Sequence, residues 1–384
     1  MTLNRIYLDH AATSWPKPPH VLDAMDRYAR LCGAAAGRGQ YGSAHEADAI
    51  VHQVRRSLAR FIGASSTESI ALFSNGTTAI NAAIFGVVRN ADHVVTTAAE
   101  HNSVLRPLAH LQSSGRITLS VVGCDRDGIV SAEEVLGAVT DQTSLVAVGS
   151  AGNVTGAEQP IEEIGRHLAE HRAMFLCDAA QSFGYLPMNV ETLGVDLLAA
   201  PGHKGGTGPQ GTGFLYVHPE RFDRVEPIVF GGTGSQSESL SMPIVMPGKL
   251  EAGNLNVPAL AGWAAGLTVL LEQSELRSAS HCQRLAKRLH AGLTSIDGLR
   301  VFGKPSRLPI ASVAAEGMSP IDLAAILDAE FGIETRAGLH CAALVHSYLG
   351  SAPEGTLRIS GSVVTTDEEI DQVVAALQAI LGEA

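Results

Sequence analysis

The residues of this sequence that could do chemistry stand just behind short apolar runs. Asp178 closes the run 173–178, with Gln181 three residues on. A carboxylate at the end of an apolar strand is costly unless it meets a cation or a hydrogen-bond donor. Lys204 follows the run 196–200 in Pro-Gly-His-Lys-Gly-Gly, a turn with room for its amine to form a covalent adduct, and His203 precedes it. Asn75, Gly76, Thr77 and Thr78 follow the run 69–74 and open a helical stretch. Amides at a helix start, with hydroxyls beside them, suit a phosphate. Glu100, His101 and Asn102 follow the run 92–97, and Asn153 follows 144–150. Taken singly, each has an ordinary reading: a helix cap, a satisfied histidine, a solvated lysine.

The elements behind these residues give the set its meaning. Residues 69–74, 92–97, 117–122, 144–150, 173–178 and 196–200 are predicted as strands. Residues 77–88, 103–113, 131–139 and 161–171 are predicted as the helices between them, and 213–217 as an antiparallel partner strand. Runs of Val, Ile, Leu and Ala without polar alternation point to strands covered on both faces. Strand–helix alternation at this spacing indicates an α/β domain with a largely parallel sheet. After a Gly- and Ser-rich stretch over 231–239 the texture changes. Helices are predicted over 260–273, 276–296, 319–331 and 366–381, and strands near 299–302, 309–315 and 357–360, as a smaller α+β unit. Thr366 and Glu369 have the spacing of a capping box. In open α/β sheets ligands bind beyond the carboxyl ends of the strands, where the polar residues above fall. Pyridoxal phosphate needs a lysine for a Schiff base, an acidic partner for its ring nitrogen, a ring stacked on its face and a phosphate cup. Lys204, Asp178, His101 and the Thr77–Thr78 pair supply one of each.

Composition narrows the field. The 384 residues are 45% hydrophobic and 17% charged, enough to bury a sizeable core in roughly two to three domains. The net charge is -12, and without a basic face nucleic-acid binding has little support. No apolar run is long enough to cross a bilayer, and the first residues carry no export-signal pattern. The five cysteines, Cys32, Cys124, Cys177, Cys282 and Cys341, are scattered and lack a CxxC pair. That spacing argues against a disulfide framework or a metal site. Free thiols in a reducing cytoplasm are expected, one of them a possible nucleophile.

Several stretches occur together and in order: 7–13 (YLDHAAT), 100–105 (EHNSVL), 153–156 (NVTG), 178–182 (DAAQS), 202–213 (GHKGGTGPQGTG), 251–258 (EAGNLNVP) and 336–342 (RAGLHCA). In these the chain resembles the class V aminotransferase family of fold-type I pyridoxal-phosphate enzymes, and within it the cysteine desulfurases and selenocysteine lyases. The resemblance covers nearly the whole chain. It implies a large cofactor-binding domain over 17–253, with a mostly parallel seven-stranded sheet. A smaller C-terminal α+β domain over 254–384 would be joined by residues 1–16. It implies that Lys204 carries the cofactor and shuttles a proton, that Asp178 meets the pyridine nitrogen, and that Gln181 meets the phenolic oxygen. His101 would stack on the ring, and Asn153 would lie beside that oxygen and the substrate carboxylate. Gly76, Thr77, Thr78 and His203 would hold the phosphate, with Asn254 reaching the phosphate of the partner subunit in a homodimer. Ala12 and Arg358 would meet the substrate, Arg358 pairing with its carboxylate.

Cys341 stands where the family places the nucleophile that takes sulfur. The implied reaction releases alanine from L-cysteine and leaves a persulfide on Cys341, for delivery to a sulfur-acceptor protein. Selenocysteine is the alternative substrate. Another class V reaction, such as C–S lysis or transamination, would not need the thiol, and a non-catalytic partner protein would not need Lys204 and Asp178. Three positions depart from the best-known desulfurase pattern: Pro201 replaces a serine, Asn254 a threonine and His10 an asparagine. Residues 361–366 also differ from the usual aromatic-containing stretch. The helical spacing of Ala343, Leu344 and Leu349 predicts a rigid, sheltered Cys341. Cys177, one residue before Asp178, is predicted to be a packing residue.

Overall fold

A computed structural model of the chain describes residues 5–235, 238–272 and 275–382. Its strands, in chain order, are β1 (Ile6–Tyr7), β2 (Ile70–Phe73), β3 (Asp92–Thr97), β4 (Ile117–Val122), β5 (Thr143–Gly149), β6 (Met174–Asp178), β7 (Leu197–Pro201), β8 (Gly213–Val217), β9 (Leu299–Phe302), β10 (Ile310–Ala315), β11 (Ile333–Glu334), β12 (Arg336–Gly338) and β13 (Thr356–Ser360). Seven of them form one sheet in the order β2-β8-β7-β6-β5-β3-β4. The β7–β6, β6–β5, β5–β3 and β3–β4 pairs are parallel, whereas β8 is antiparallel to both β2 and β7. This is the α/β architecture read from the sequence, with 213–217 in its expected antiparallel place.

The lack of polar alternation in these strands has a direct cause. Successive side chains point to opposite faces of a sheet, and here both faces are buried. Val95, Val146, Phe175, Leu198 and Phe214 enter one core. Their immediate neighbours Val94, Leu145, Leu176, Leu197 and Leu215 enter the other. Two long helices, Pro19–Leu31 and Gly42–Phe61, were not read from the sequence. They join the first core with Tyr28, Val51, Val54 and Leu58, beside Trp263 and Leu267 of the helix Val257–Glu272. A Cβ at Gly262 would lie 2.6 Å from Met25 Cγ and 2.9 Å from the Val21 carbonyl, so glycine is what lets these helices approach.

The C-terminal part has its own sheet, β12-β13-β10-β9, packed by Leu285, Leu289, Val313, Leu323 and Val373. The capping box is present: the Thr366 amide donates to Glu369 Oε2 at 2.8 Å, and the Glu369 amide to Thr366 Oγ1 at 3.2 Å. The N-terminal segment belongs to this part of the structure by its pairings. β1 runs parallel to β11, and Asp9 bridges to Ser360 at the end of β13. Among the described residues no helix is long and apolar enough to cross a membrane.

One buried ion pair ties the edge of the large sheet to its surroundings. Arg55 Nη2 lies 2.5 Å from Glu251 Oε2, with each side chain 10% exposed. Glu251 Oε1 also accepts the Leu72 amide of β2 at 2.7 Å. Removing one partner of such a pair leaves the other charged and desolvated, at a cost of about 3 to 5 kcal/mol. Glu251→Ala should therefore lower the unfolding free energy read from a urea titration by an amount in that range, and replacing both partners by leucine should cost less than the single change. A single variant that unfolds at the parental midpoint would show that the pair holds nothing.

Candidate active site

The carboxyl ends of β3, β5, β6 and β7 open into a cavity of about 220 Å³. Lys204 lies in the turn after β7, and several constraints set that turn. The Gly202 amide donates to the Thr212 carbonyl at 2.9 Å, and Trp263 Nε1 donates to the Gly206 carbonyl at 3.2 Å. Gly184 has φ +85° and a Cβ there would stand 2.1 Å from the Gly205 carbonyl, so only glycine lets the 181–186 segment press against the lysine turn. The His203 carbonyl accepts Lys17 Nζ at 2.7 Å and the Ser14 amide at 3.0 Å, which brings the N-terminal segment onto the same turn.

Charge in the cavity is arranged around a buried amine. Burial holds the Lys204 ammonium down to about 8, Asp178 opposes that shift, and Arg358 and Arg336 add to it. Asp178 ends β6, and its Oδ1 accepts the Ala180 amide at 2.9 Å. Burial pushes its carboxyl above the usual range, with the Ala180 amide and Lys204 pulling back. His101 caps the helix Asn102–Ser113: its Nδ1 accepts the Ser103 amide at 3.0 Å, which leaves the ring proton on Nε2. Burial, then Lys204, lowers it to about 4, so the ring is neutral at physiological pH.

The cavity brings together Ala12, Gly76, Thr77, His101, Asn153, Asp178, Gln181, His203, Lys204 and Arg358 of the residues singled out from the sequence. Thr78 is turned away. Its amide and hydroxyl are both engaged by Asn75, at 2.9 Å each. With Thr77 and Asn254 it instead lines a neighbouring cavity of about 550 Å³. The first amides of a helix have no partner within it, so those of Gly76 and Thr77 are the ones available at this end of the site. Pro201 stands against Gly76, where a Cβ would be 3.0 Å from Pro201 Cδ. His10 lies away from the cavity lining, buried edge-on to Tyr7 with its Nε2 3.5 Å from Ser362 Oγ.

Cys341 departs from its expectation. It is exposed rather than sheltered, because 339–342 forms a turn and the helix starts only at Val345. His340 and Cys341 both adopt left-handed backbone, φ +49° and +58°, at a cost of about 1 to 3 kcal/mol each. The Cys341 carbonyl accepts the Asn102 amide at 2.7 Å, which pins the cysteine beside His101. Cys177 is fully buried within β6, as expected of a packing residue, and burial pushes its thiol well up.

Further residues of the site stand inside the runs and motifs above without a role that the sequence assigns them. Glu100 is buried at the cavity wall, accepting the Thr97 hydroxyl at 2.7 Å and the Gly149 amide at 2.9 Å on Oε2. Burial pushes its carboxyl up to about 8, against those donors and with nearby Asp178 adding to the rise. Asp9 pairs with Arg358 at 2.6 Å; asking what neutralises a buried arginine would have pointed to a carboxylate, though not to which one. His340 Nε2 faces the Thr356 carbonyl at 3.0 Å, and Arg336 lines the cavity beside Arg358.

The lowered Lys204 ammonium has a measurable consequence. In cofactor-free protein, adduct formation between Lys204 and a simple aldehyde, trapped by cyanoborohydride and mapped by mass, should rise with pH through about 8 as the amine loses its proton. Asp178→Asn should move that midpoint lower, since Asp178 favours the ammonium. A midpoint at the ordinary lysine value of about 10.4 would show that the cavity does not discharge the amine.

Residues 6–373 match the family model described as aminotransferase class-V. A protein of Methanothermobacter thermautotrophicus described as a probable cysteine desulfurase is 36% identical, over 99% of this chain and 95% of its own length. The apo structure of a cysteine desulfurase from Thermococcus onnurineus NA1 has a TM-score of 0.92 at 31% identity, covering 99% of this chain and 95% of that one. The cysteine desulfurase CsdA of Escherichia coli has a TM-score of 0.89 at 25% identity, over 99% and 95%. With its fold, its motifs and these relatives in agreement, this chain belongs to the class-V aminotransferase family.

Proposed function

We propose that this protein is a pyridoxal-phosphate-dependent cysteine desulfurase, which releases alanine from L-cysteine and takes the sulfur onto Cys341 as a persulfide. One observation carries the reading. Lys204 and Asp178 line one cavity with His101, Asn153 and Arg358, while an exposed cysteine stands beside His340 and Arg336 of its wall. The residues present fit the cofactor: a buried amine, a carboxylate, a neutral imidazole and free helix-start amides converge on one space. When bound, pyridoxal phosphate supplies an electron sink for charge left at the substrate's α-carbon.

The chain's own residues do the rest. Lys204, held near 8, has a share of free amine at neutral pH and can both accept and return the α-proton. Asp178, fixed by the Ala180 amide, is the carboxylate that would meet the ring nitrogen. His101, neutral and oriented by Ser103, offers a flat face and an Nε2–H donor. Gly76, Thr77 and His203, which line the same cavity, would hold the phosphate. Arg358 has five N–H donors. It gives one to Asp9 and one to the Asn153 carbonyl, and the rest are left for the substrate carboxylate. A cysteine thiolate is a strong nucleophile, and Cys341 attacks the substrate sulfur.

A second copy of the chain completes the proposal. Exposed Ile228 and Val229 line the same cavity as Thr77, Thr78 and Asn254, Phe230 next to them is exposed as well, and apolar side chains left open in this way suit a two-fold partner. From that surface Asn254 would reach the partner's phosphate. The five free cysteines suit a reducing, cytoplasmic setting. A sulfur-acceptor protein would meet the exposed Cys341.

Lys204→Ala should retain no cofactor after borohydride reduction and should release no alanine; a reduced adduct mapped to any other lysine refutes the assignment. Cys341→Ser should still bind the cofactor and L-cysteine but lose sulfur release by about 100-fold or more, because a serine hydroxyl is a far weaker nucleophile at neutral pH. Alanine and sulfide are assayed separately. Cysteine turnover by Cys341→Ser at the parental rate would make the protein a C–S lyase instead.

A further inference from the structure

β12 and β13 run antiparallel, with Arg336 directly opposite Arg358. Residues opposed in this way share one face of a sheet, and both arginines line the cavity. Like charges placed directly opposite destabilise a sheet, so the arrangement calls for anions around it. Arg358 has Asp9 and the Asn153 carbonyl. Arg336 has no carboxylate partner among the described residues. Its side-chain contact there is Nη2 to Cys341 Sγ, at 3.5 Å. The backbone that carries the sulfur is fixed beside it, by left-handed conformation at 340–341 and by the Asn102 amide bonded to the Cys341 carbonyl. An unneutralised guanidinium is therefore stationed at the one sulfur that is to gain an anion.

We propose that Arg336 is a positioning residue for sulfur transfer, whose guanidinium holds the anionic terminal sulfur of a persulfide on Cys341. This rests on the desulfurase reading above. In the transfer an S–S bond forms between Cys341 and the substrate sulfur while the substrate's C–S bond breaks, its electron pair staying with carbon. Thiolate plus substrate thiol thus gives persulfide anion plus alanine, one proton passing from sulfur to carbon, and the single negative charge stays at position 341. That charge moves outward by one sulfur, from the atom Arg336 touches to the next. A planar fork of donors can follow it there, where a single amine could hold the charge but not the geometry.

The test uses the holoenzyme of the parent, Arg336→Met and Arg336→Lys, with Cys341→Ser as the blank. The first measurement is the ratio of Cys341 modification rates by iodoacetate and by iodoacetamide, mapped by mass. Both reagents need the thiolate, so the ratio reports local positive charge alone. It should fall about five-fold in Arg336→Met, the effect of one unit charge a few ångströms away at an exposed site, and should be largely kept in Arg336→Lys. The second is the lifetime of the added sulfur on Cys341 after a pulse of L-cysteine, which should be longest in the parent and shortest in Arg336→Met. An unchanged ratio together with an unchanged lifetime overturns the inference. So does a raised KM for L-cysteine with an unchanged lifetime, which would make Arg336 a carboxylate anchor. If the parent itself gains no sulfur on Cys341, the desulfurase reading is what fails.

Discussion

A guanidinium with no exposure to water cannot stand without partners, and Arg358 is such a group. Its partners come from distant parts of the chain. Asp9 belongs to the N-terminal segment, and the Asn153 carbonyl to the loop after β5 of the large sheet. Arg358 itself lies on β13 of the C-terminal sheet. Satisfying one buried charge therefore clasps three regions around the cavity. The neighbouring contacts follow the same seam: Asn153 Nδ2 donates to the His340 carbonyl at 2.6 Å, and the Ala11 amide to Ser360 Oγ at 3.0 Å. The site exists because the seam closes.

Inside the seam, burial works on each titratable group in a direction set by its type. It discharges the amine and the imidazoles and pushes the carboxyls upward. Lys204 is brought toward neutrality, while His101 and His203 are both held down to about 4. Asp178 at the end of β6 and Glu100 after β3 stand on either side of β5, each with backbone donors that resist its neutralisation. Lys204 and Asp178 moderate each other, as opposite charges in a low-dielectric space must. What results is an amine able to lose a proton near neutral pH beside a carboxyl fixed by the fold.

The cysteine obeys a different rule. Chemistry on a sulfur that is to be handed on requires access, and Cys341 is exposed while its neighbours His340 and Ala342 are buried. Two successive left-handed residues produce that reversal over one step of chain. The spacing of Ala343, Leu344 and Leu349 suggested a sheltered helical setting, but the turn wins because the Cys341 carbonyl is bonded by the Asn102 amide and the Ala342 amide by the Leu339 carbonyl, neither of them a bond of a helix through 341–349.

Local pattern alone determined the order and type of most elements, since periodicity and apolar runs are properties of neighbouring residues. It also placed Lys204, Asp178, His101 and Asn153 at strand ends, because chain order and the carboxyl-end rule suffice for a parallel sheet. It missed the helices Pro19–Leu31 and Gly42–Phe61, and it suggested Thr78 for a phosphate that the fold faces elsewhere. Only the tertiary structure decided that Asp9 meets Arg358 across 349 residues, that Arg336 stands opposite Arg358, and that Cys341 lies under a guanidinium at the surface. Those facts depend on strand register and on which buried charge finds which partner. Both are settled by packing between segments remote in the chain, where no local spacing carries the information.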